Sequence, residues 1–179
     1  MNVEETAGKA LSDAKEWQEA QCKGSVQLPL LTVPHLQVPE ATHRLLTRCN
    51  SDAAWRSDLN VAGLGWIRLD PGMNDFSSHS AICESVSSPL MAESLACRAA
   101  VMDARVCGAS HLILDSDCQL LVRAINTRSS IAEVHGVLSD IYICIKSFIS
   151  FSCRFIPRAA NVSADSLAKQ VLSLYGSSF

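Results

Sequence analysis

The sequence predicts a three-layer α/β domain, a mixed β-sheet with helices packed on its faces. Three observations carry this expectation. Three strand-like segments follow one another across turn-rich connections, a well-capped helix comes next, and strand and helix patterns then alternate towards the C-terminus.

The strands of the first part are "LLTRCNSDAAW" (45–55), "GLGWIRLD" (63–70) and "SHSAICESV" (78–86), joined by "RSDLNVAG" and "PGMNDF". Such short, turn-bounded connections imply an antiparallel meander. In "SSPLMAESLACRAAVMDARVCG" (87–108), Ser88 is placed to cap a helix, Pro89 occupies its first position and Gly108 falls just past its end. A strand "SHLILDSD" (110–117), helices "CQLLVRAIN" (118–126) and "AEVHGVLSDIYICIKSF" (132–148), a strand "ISFSCRFIP" (149–157) and a closing helix "NVSADSLAKQVLSL" (161–174), with Asn161 near its N-cap, complete the pattern.

Residues 1–45 differ from the rest. A polar stretch that reads as one short helix precedes "SVQLPLLTVPHLQVPEAT", whose three prolines interrupt every periodicity. We expect an N-terminal extension or linker over 1–45, partly disordered, and the folded domain over 46–175.

With 179 residues and 48% hydrophobic side chains, the chain has the composition of a globular domain with a core of its own. Fifteen basic and 18 acidic residues leave a net charge of -3, so no global charge advertises a nucleic-acid or membrane partner. Any such binding is local. The eight cysteines are scattered singly, without a CxxC pair or zinc-type spacing, and read as reduced, mostly buried thiols of an intracellular protein, nuclear or cytoplasmic. The apolar run "GVLSDIYICIKSFISF" is broken by Asp140 and Lys146 and fails as a membrane span.

Four carboxylates stand where an ordinary pattern would not need them. In "RCNSDAAW" a period-two reading puts Arg48, Asn50 and Asp52 on the outward face of the first strand. Glu93 falls on a helical wheel beside Ala96, Cys97, Ala100 and Ala104, whereas Ser94, Arg98 and Arg105 share the arc expected to face water. A carboxylate on that small-residue stripe is either partnered or there to favour the helix dipole, and the helix alone does not decide between the two. "LILDSDCQ" carries Asp115 and Asp117 where strand gives way to helix, a place where open α/β sheets hold ligands. They share side-chain parity, so spacing leaves open which is functional, and capping of the following helix by Asp117 or Ser116 is the competing role. Asp165 lies in the first turns of the closing helix, at the edge of its apolar face.

From about Arg48 to Leu172 the chain resembles the type 1 ribonuclease H domain, most closely the variety of plant non-LTR retrotransposon polyproteins and their stand-alone relatives. The resemblance rests on "CNSDAAW", "GLGWIR", "MAESLA", "LDSD" and "RAANVSADSLAK", in order and in matching element types. It implies a five-stranded mixed sheet of order 3-2-1-4-5 flanked by helices. It also implies that Asp52, Glu93, Asp117 and Asp165 are the catalytic, metal-binding acids, with Asp117 preferred over Asp115 as the second Asp of the strand-end motif.

Converging carboxylates raise one another's pKa values, and hard divalent cations with oxygen ligands relieve them. Two Mg²⁺ ions, with Mn²⁺ as a substitute, about 3.5–4 Å apart, suit an in-line phosphoryl displacement. By analogy Asp52 bridges both ions, Glu93 and Asp117 hold the one near the leaving group, and Asp165 the one holding the attacking water. The implied activity is endonucleolytic hydrolysis of the RNA strand of RNA–DNA hybrids, leaving 3'-hydroxyl and 5'-phosphate ends. The implied partner is the hybrid nucleic acid, with no membrane, and the protein is expected to act as a monomer.

Several positions depart from the family pattern. The segment "RFIPRAAN" lacks the histidine that many active members carry before the last helix, Ala53 replaces a frequent glycine, and no basic protrusion is present. His35, His43, His79, His111 and His135 lie elsewhere and read as surface or core residues. Arg154 and Arg158 are candidates for phosphate contact, as are Arg56, Arg98, Arg105, Arg123 and Arg128, although solvated helix faces explain most of these last. The competing reading is therefore a nucleic-acid-binding or interaction module that keeps the fold with little or no turnover. Another nuclease or transposase of the same fold is less favoured by the "AES" helix and the Asn-x-x-x-Asp closing motif.

Overall fold

The structure is a computed structural model that describes residues 46–71 and 76–176. The extension expected over residues 1–45, and most of the turn expected at "PGMNDF", lie outside the described residues. Along the chain come β1 (Leu46–Arg56), β2 (Val61–Leu69), β3 (Phe76–Cys83), α1 (Pro89–Val106), β4 (His111–Ser116), α2 (Gln119–Thr127), α3 (His135–Cys144), β5 (Ser150–Phe155) and α4 (Val162–Gly176). The five strands form one sheet in the order β3-β2-β1-β4-β5, with antiparallel pairing from β3 to β1 and parallel pairing across β1, β4 and β5. This is the mixed sheet that the sequence implies.

The parallel half of the sheet has helices in its crossovers, so its core face is apolar: Cys49, Leu112, Leu114 and Cys153 are buried there. Against it lies α1. Ser88 caps this helix, its Oγ accepting from the Met91 N–H at 3.0 Å, and Pro89 takes the first position. At the other end Ala109 N–H donates to Ala104 O and Gly108 N–H to Arg105 O, with Gly108 at φ +77°. This Schellman-type stop requires a left-handed residue at that point, which glycine supplies.

One arc of α1 departs from expectation. Arg98 and Arg105 reach solvent, but Ser94 is fully buried. The helix packs on α3 as well as on the sheet, so its buried arc is wider than one stripe. The Ser94 hydroxyl donates to the Met91 carbonyl at 2.8 Å, and so it needs no water.

Two further boundaries differ. The third strand, expected to run to Val86, ends at Cys83, because Ser85 takes a left-handed conformation (φ 58°) that turns Val86 into the core. The long helix expected over 132–148 is α-helical only from His135 to Cys144, with 3-10 turns at Ala132–Val134 and Ile145–Ser147.

The opposite face of the sheet receives α4, which packs on β2, β1 and β3. Its close approach depends on two glycines of β2. A Cβ at Gly65 would collide with the Ala164 carbonyl and lie 2.7 Å from Ala168 N, and one at Gly63 would collide with the Ala168 carbonyl. Among the described residues no helix is long and apolar enough to cross a membrane.

Candidate metal centre

Asp52 sits late in β1, directly opposite Gly65. The outward period-two reading of this strand holds at its start and fails here: Arg48 is exposed, whereas Asp52 is only 1% exposed, because α4 covers that face. Its Oδ1 accepts from the Ala53 N–H at 2.8 Å. Glu93 is the fifth residue of α1, beyond the first turn, where the pull of the helix dipole has faded. Its Oε2 is buried and, with the neighbouring acids ionised, meets no donor among the described residues. Asp117 follows the last residue of β4, and its side chain is 6% exposed.

These three acids, from a strand, a helix and a strand-end loop, each offer an oxygen within 4.8 Å of the others. Asp165 does not belong to this group. It lies in the first turn of α4, and its Oδ2 accepts from Lys169 Nζ at 2.7 Å. Its charge is still close enough to act on Asp52.

The electrostatics follow from the crowding. Burial first, and then the charges of Asp117 and Asp165, hold the Asp52 carboxyl above the ordinary carboxylate range. Burial again, followed by Asp52 and Asp117, raises Glu93 further still. Without a cation, the cluster therefore retains a proton on the Asp52–Glu93 pair.

Asp115 and Asp117 differ in what each touches. Asp115 is fully buried, and two arginines hold it: Arg48 Nε donates to Oδ2 at 2.5 Å, while Arg154 donates from Nε to Oδ1 at 2.9 Å and from Nη2 to Oδ2 at 3.0 Å. Its acceptor capacity is taken up inside the sheet. Among the described residues Asp117 has one side-chain partner, Arg158, whose Nε donates to Oδ2 at 3.1 Å. Local spacing misses the clamp, because Arg154 becomes a neighbour of Asp115 only through the β4–β5 register.

Two open grooves flank the cluster. One of about 400 Å³ is lined by Glu93, Asp117, Leu90, Phe155 and Arg158 among others. The second, of about 470 Å³, is lined by Ala53, Trp55, Asp165, Lys169 and Arg158 among others. Among the described residues no histidine lines either groove. His79 stacks on Trp66 with ring centroids 5.6 Å apart, His111 bonds Ser150 and His135 bonds Ser130, while His35 and His43 lie outside the described residues. Of the remaining arginines, Arg56 pairs with Asp58, Arg98 with Asp140, and Arg128 lies over the Tyr142 ring.

An all-carboxylate set with one orphaned buried oxygen fits a hard divalent cation such as Mg²⁺, which prefers oxygen ligands and tolerates few protein donors.

The sheet order, with helices on both faces and acids gathered where β1 and β4 end, defines a ribonuclease H-type domain. Solved structures share it. The N-terminal ribonuclease H domain of a Mycobacterium tuberculosis protein, studied as a fusion with maltose-binding protein, matches with a TM-score of 0.67 at 19% identity, covering 75% of this chain and 98% of that one. Ribonuclease H1 from the halophilic archaeon Halobacterium salinarum matches with a TM-score of 0.61 at 22% identity, covering 72% and 98%. A ribonuclease H1 in complex with an RNA/DNA hybrid matches with a TM-score of 0.61 at 19% identity, covering 69% and 94%. At these identities the likeness is one of fold. A comparison with curated protein sequences finds no match. Residues 50–171, more than half of the chain, match the model of the reverse transcriptase-like family, and the chain belongs to that family.

Proposed function

We propose that this protein is a metal-dependent endonuclease that hydrolyses the RNA strand of RNA–DNA hybrids. The observation that carries the proposal is the convergence of Asp52, Glu93 and Asp117 within 4.8 Å, with Glu93 Oε2 left without a partner. The solved relative bound to an RNA/DNA hybrid supports the choice of substrate.

In this reading Asp52, central in the sheet, would hold Mg²⁺ together with Glu93 and Asp117, and Asp165 would add a further carboxylate ligand once Lys169 yields it. Bound divalent cations would supply Lewis acidity at the scissile phosphate and lower the pKa of a water. The chain's own part is positioning. Burial of Asp52 and of the Glu93 Oε2 atom keeps the ligand oxygens in place, and the two open grooves leave room for a strand on either side of the cluster. All four acids come from one chain, which supports action as a monomer.

A second reading, binding without turnover, is favoured by one observation. Arg158, which cannot titrate at neutral pH, stands in the segment where many active members carry a histidine. We further assign the catalytic unit to 46–175, with 1–45 as an extension, and ascribe the chain to a plant non-LTR retrotransposon lineage acting in the nucleus or cytoplasm. The motif set quoted above supports that ascription.

The test is incubation of the purified protein with a labelled RNA–DNA hybrid and Mg²⁺ or Mn²⁺. Cleavage of the RNA strand, abolished by chelator and by Asp52→Asn, is expected. Cleavage that survives Asp52→Asn would overturn the assignment of the site, and tight hybrid binding without any cleavage would establish the second reading.

A further inference from the structure

Two of the four acids, Asp117 and Asp165, each carry an exposed cation. Asp165 is paired with Lys169 along one helix, and Asp117 with Arg158 from a different element. The Arg158 pair is asymmetric, for its guanidinium side chain is 85% exposed while that of Asp117 is 6% exposed. Arg158 thus lies over its partner from outside.

Its backbone is anchored and its side chain is not. It opens the short 3-10 turn Arg158–Ala160, and Asn161 at the end of that turn is buried and donates from Nδ2 to the Ser51 carbonyl at 2.9 Å. Among the described residues only Nε of Arg158 is engaged, on Asp117, which leaves both Nη groups available. The same side chain lines both grooves beside the cluster. A planar fork in that place fits a phosphodiester, which it can take in two parallel hydrogen bonds.

We propose that Arg158 is an exchangeable counter-ion: it occupies Asp117 Oδ2 in the free protein, and a backbone phosphate of the bound nucleic acid draws it away, opening that oxygen to the cation. This deepens the hybrid-nuclease reading above and rests on it. Arg158 and a divalent cation compete for one oxygen, whereas Arg158 and a phosphate attract each other. Nucleic acid and metal therefore strengthen each other's binding through a single side chain. Arg158 acts on the cation through Asp117 and is a positioning residue for the metal.

The experiment compares wild type, Arg158→Ala and Arg98→Ala, the last removing an equal charge that pairs with Asp140 on α3. Mn²⁺ is titrated calorimetrically without nucleic acid, and hybrid binding is measured in chelator across a range of salt. Arg158→Ala is expected to tighten Mn²⁺ by roughly two- to fivefold, the size of an exposed ion pair. It is also expected to weaken the hybrid and lower the salt slope by about one. Arg98→Ala leaves the Mn²⁺ affinity unchanged, and Arg158→Lys, a cation that still reaches Asp117, restores the competition. Unchanged or weaker Mn²⁺ binding in Arg158→Ala, or an unchanged salt slope, overturns the proposal. If wild type takes up no Mn²⁺, the metal-dependent reading fails instead; if wild type takes it up and Arg158→Ala matches it, this inference alone fails.

Discussion

Asn161 donates from Nδ2 to the main-chain carbonyl of Ser51 at 2.9 Å, across 110 residues of sequence. The β1–β4 ladder ends at the Asn50–Asp115 pair, so the carbonyl that follows finds its partner in a side chain instead of a strand. The bond ties the residue before Asp52 to the start of α4, and with it Arg158 and Asp165. Asn161→Ala leaves a buried carbonyl without its donor and is expected to destabilise the protein by about 1–3 kcal/mol. Urea denaturation measures this, and hybrid cleavage, assayed well below the melting range, is expected to fall as well. A variant of native stability would show that water replaces the amide.

Removal of metal should make stability fall with rising pH. The folded protein holds Asp52 at about 6 and Glu93 at about 9, both above their ordinary values and both chiefly through burial. Their contribution is fully present below the ordinary carboxylate range and is lost as pH rises through those folded values. Between about pH 5 and 8.5 in chelator, the Tm of wild type is expected to drop by on the order of 10 °C more than that of Glu93→Gln. Mg²⁺ should restore a larger share at the higher pH. Parallel melting curves for the two proteins would refute the electrostatic account of the cluster.

Asp115 and Asp117, two residues apart, should fail in opposite ways. Asp115→Asn removes the charge that holds Arg48 and Arg154, and is expected to cost about 1–3 kcal/mol, less than a fully buried pair because both guanidiniums reach solvent. Its metal binding should persist. Asp117→Asn should keep its stability and lose Mn²⁺ affinity by calorimetry. The reverse pattern would exchange the two assignments.

Gly65→Ala should lift α4 from the sheet, since the added methyl meets the Ala164 carbonyl and Ala168 N. Such overpacking is expected to cost about 1–3 kcal/mol, read from chemical denaturation. Cleavage should fall with it, because Asp165 rides on the displaced helix. Unchanged stability would mean that α4 shifts at no cost.

Much of this was legible in the chain itself. Ser88, Pro89 and Gly108 bound α1 because capping is chemistry of adjacent residues, and the structure places all three as the sequence predicts. The resemblance carried by "CNSDAAW", "MAESLA", "LDSD" and "RAANVSADSLAK" singled out four carboxylates, and the fold brings three of them, Asp52, Glu93 and Asp117, within 4.8 Å. Side-chain parity could not separate Asp115 from Asp117, and a helical wheel put Ser94 in water, because each depends on neighbours from distant segments.

What the sequence determined by itself is the order of elements, the ends of α1 and the presence of acids at positions that a plain amphipathic pattern does not need, all of them properties of residues a few positions apart. Tertiary structure decided the rest: that Asp115 is absorbed by arginines on β1 and β5, that Asp52 lies buried beneath α4, that Asp165 stands outside the close cluster with Lys169, and that Arg158 rests on Asp117. Those outcomes turn on strand register and helix packing, which join residues far apart in sequence, and only there does the competition between burial, repulsion and pairing set the charge of each carboxylate.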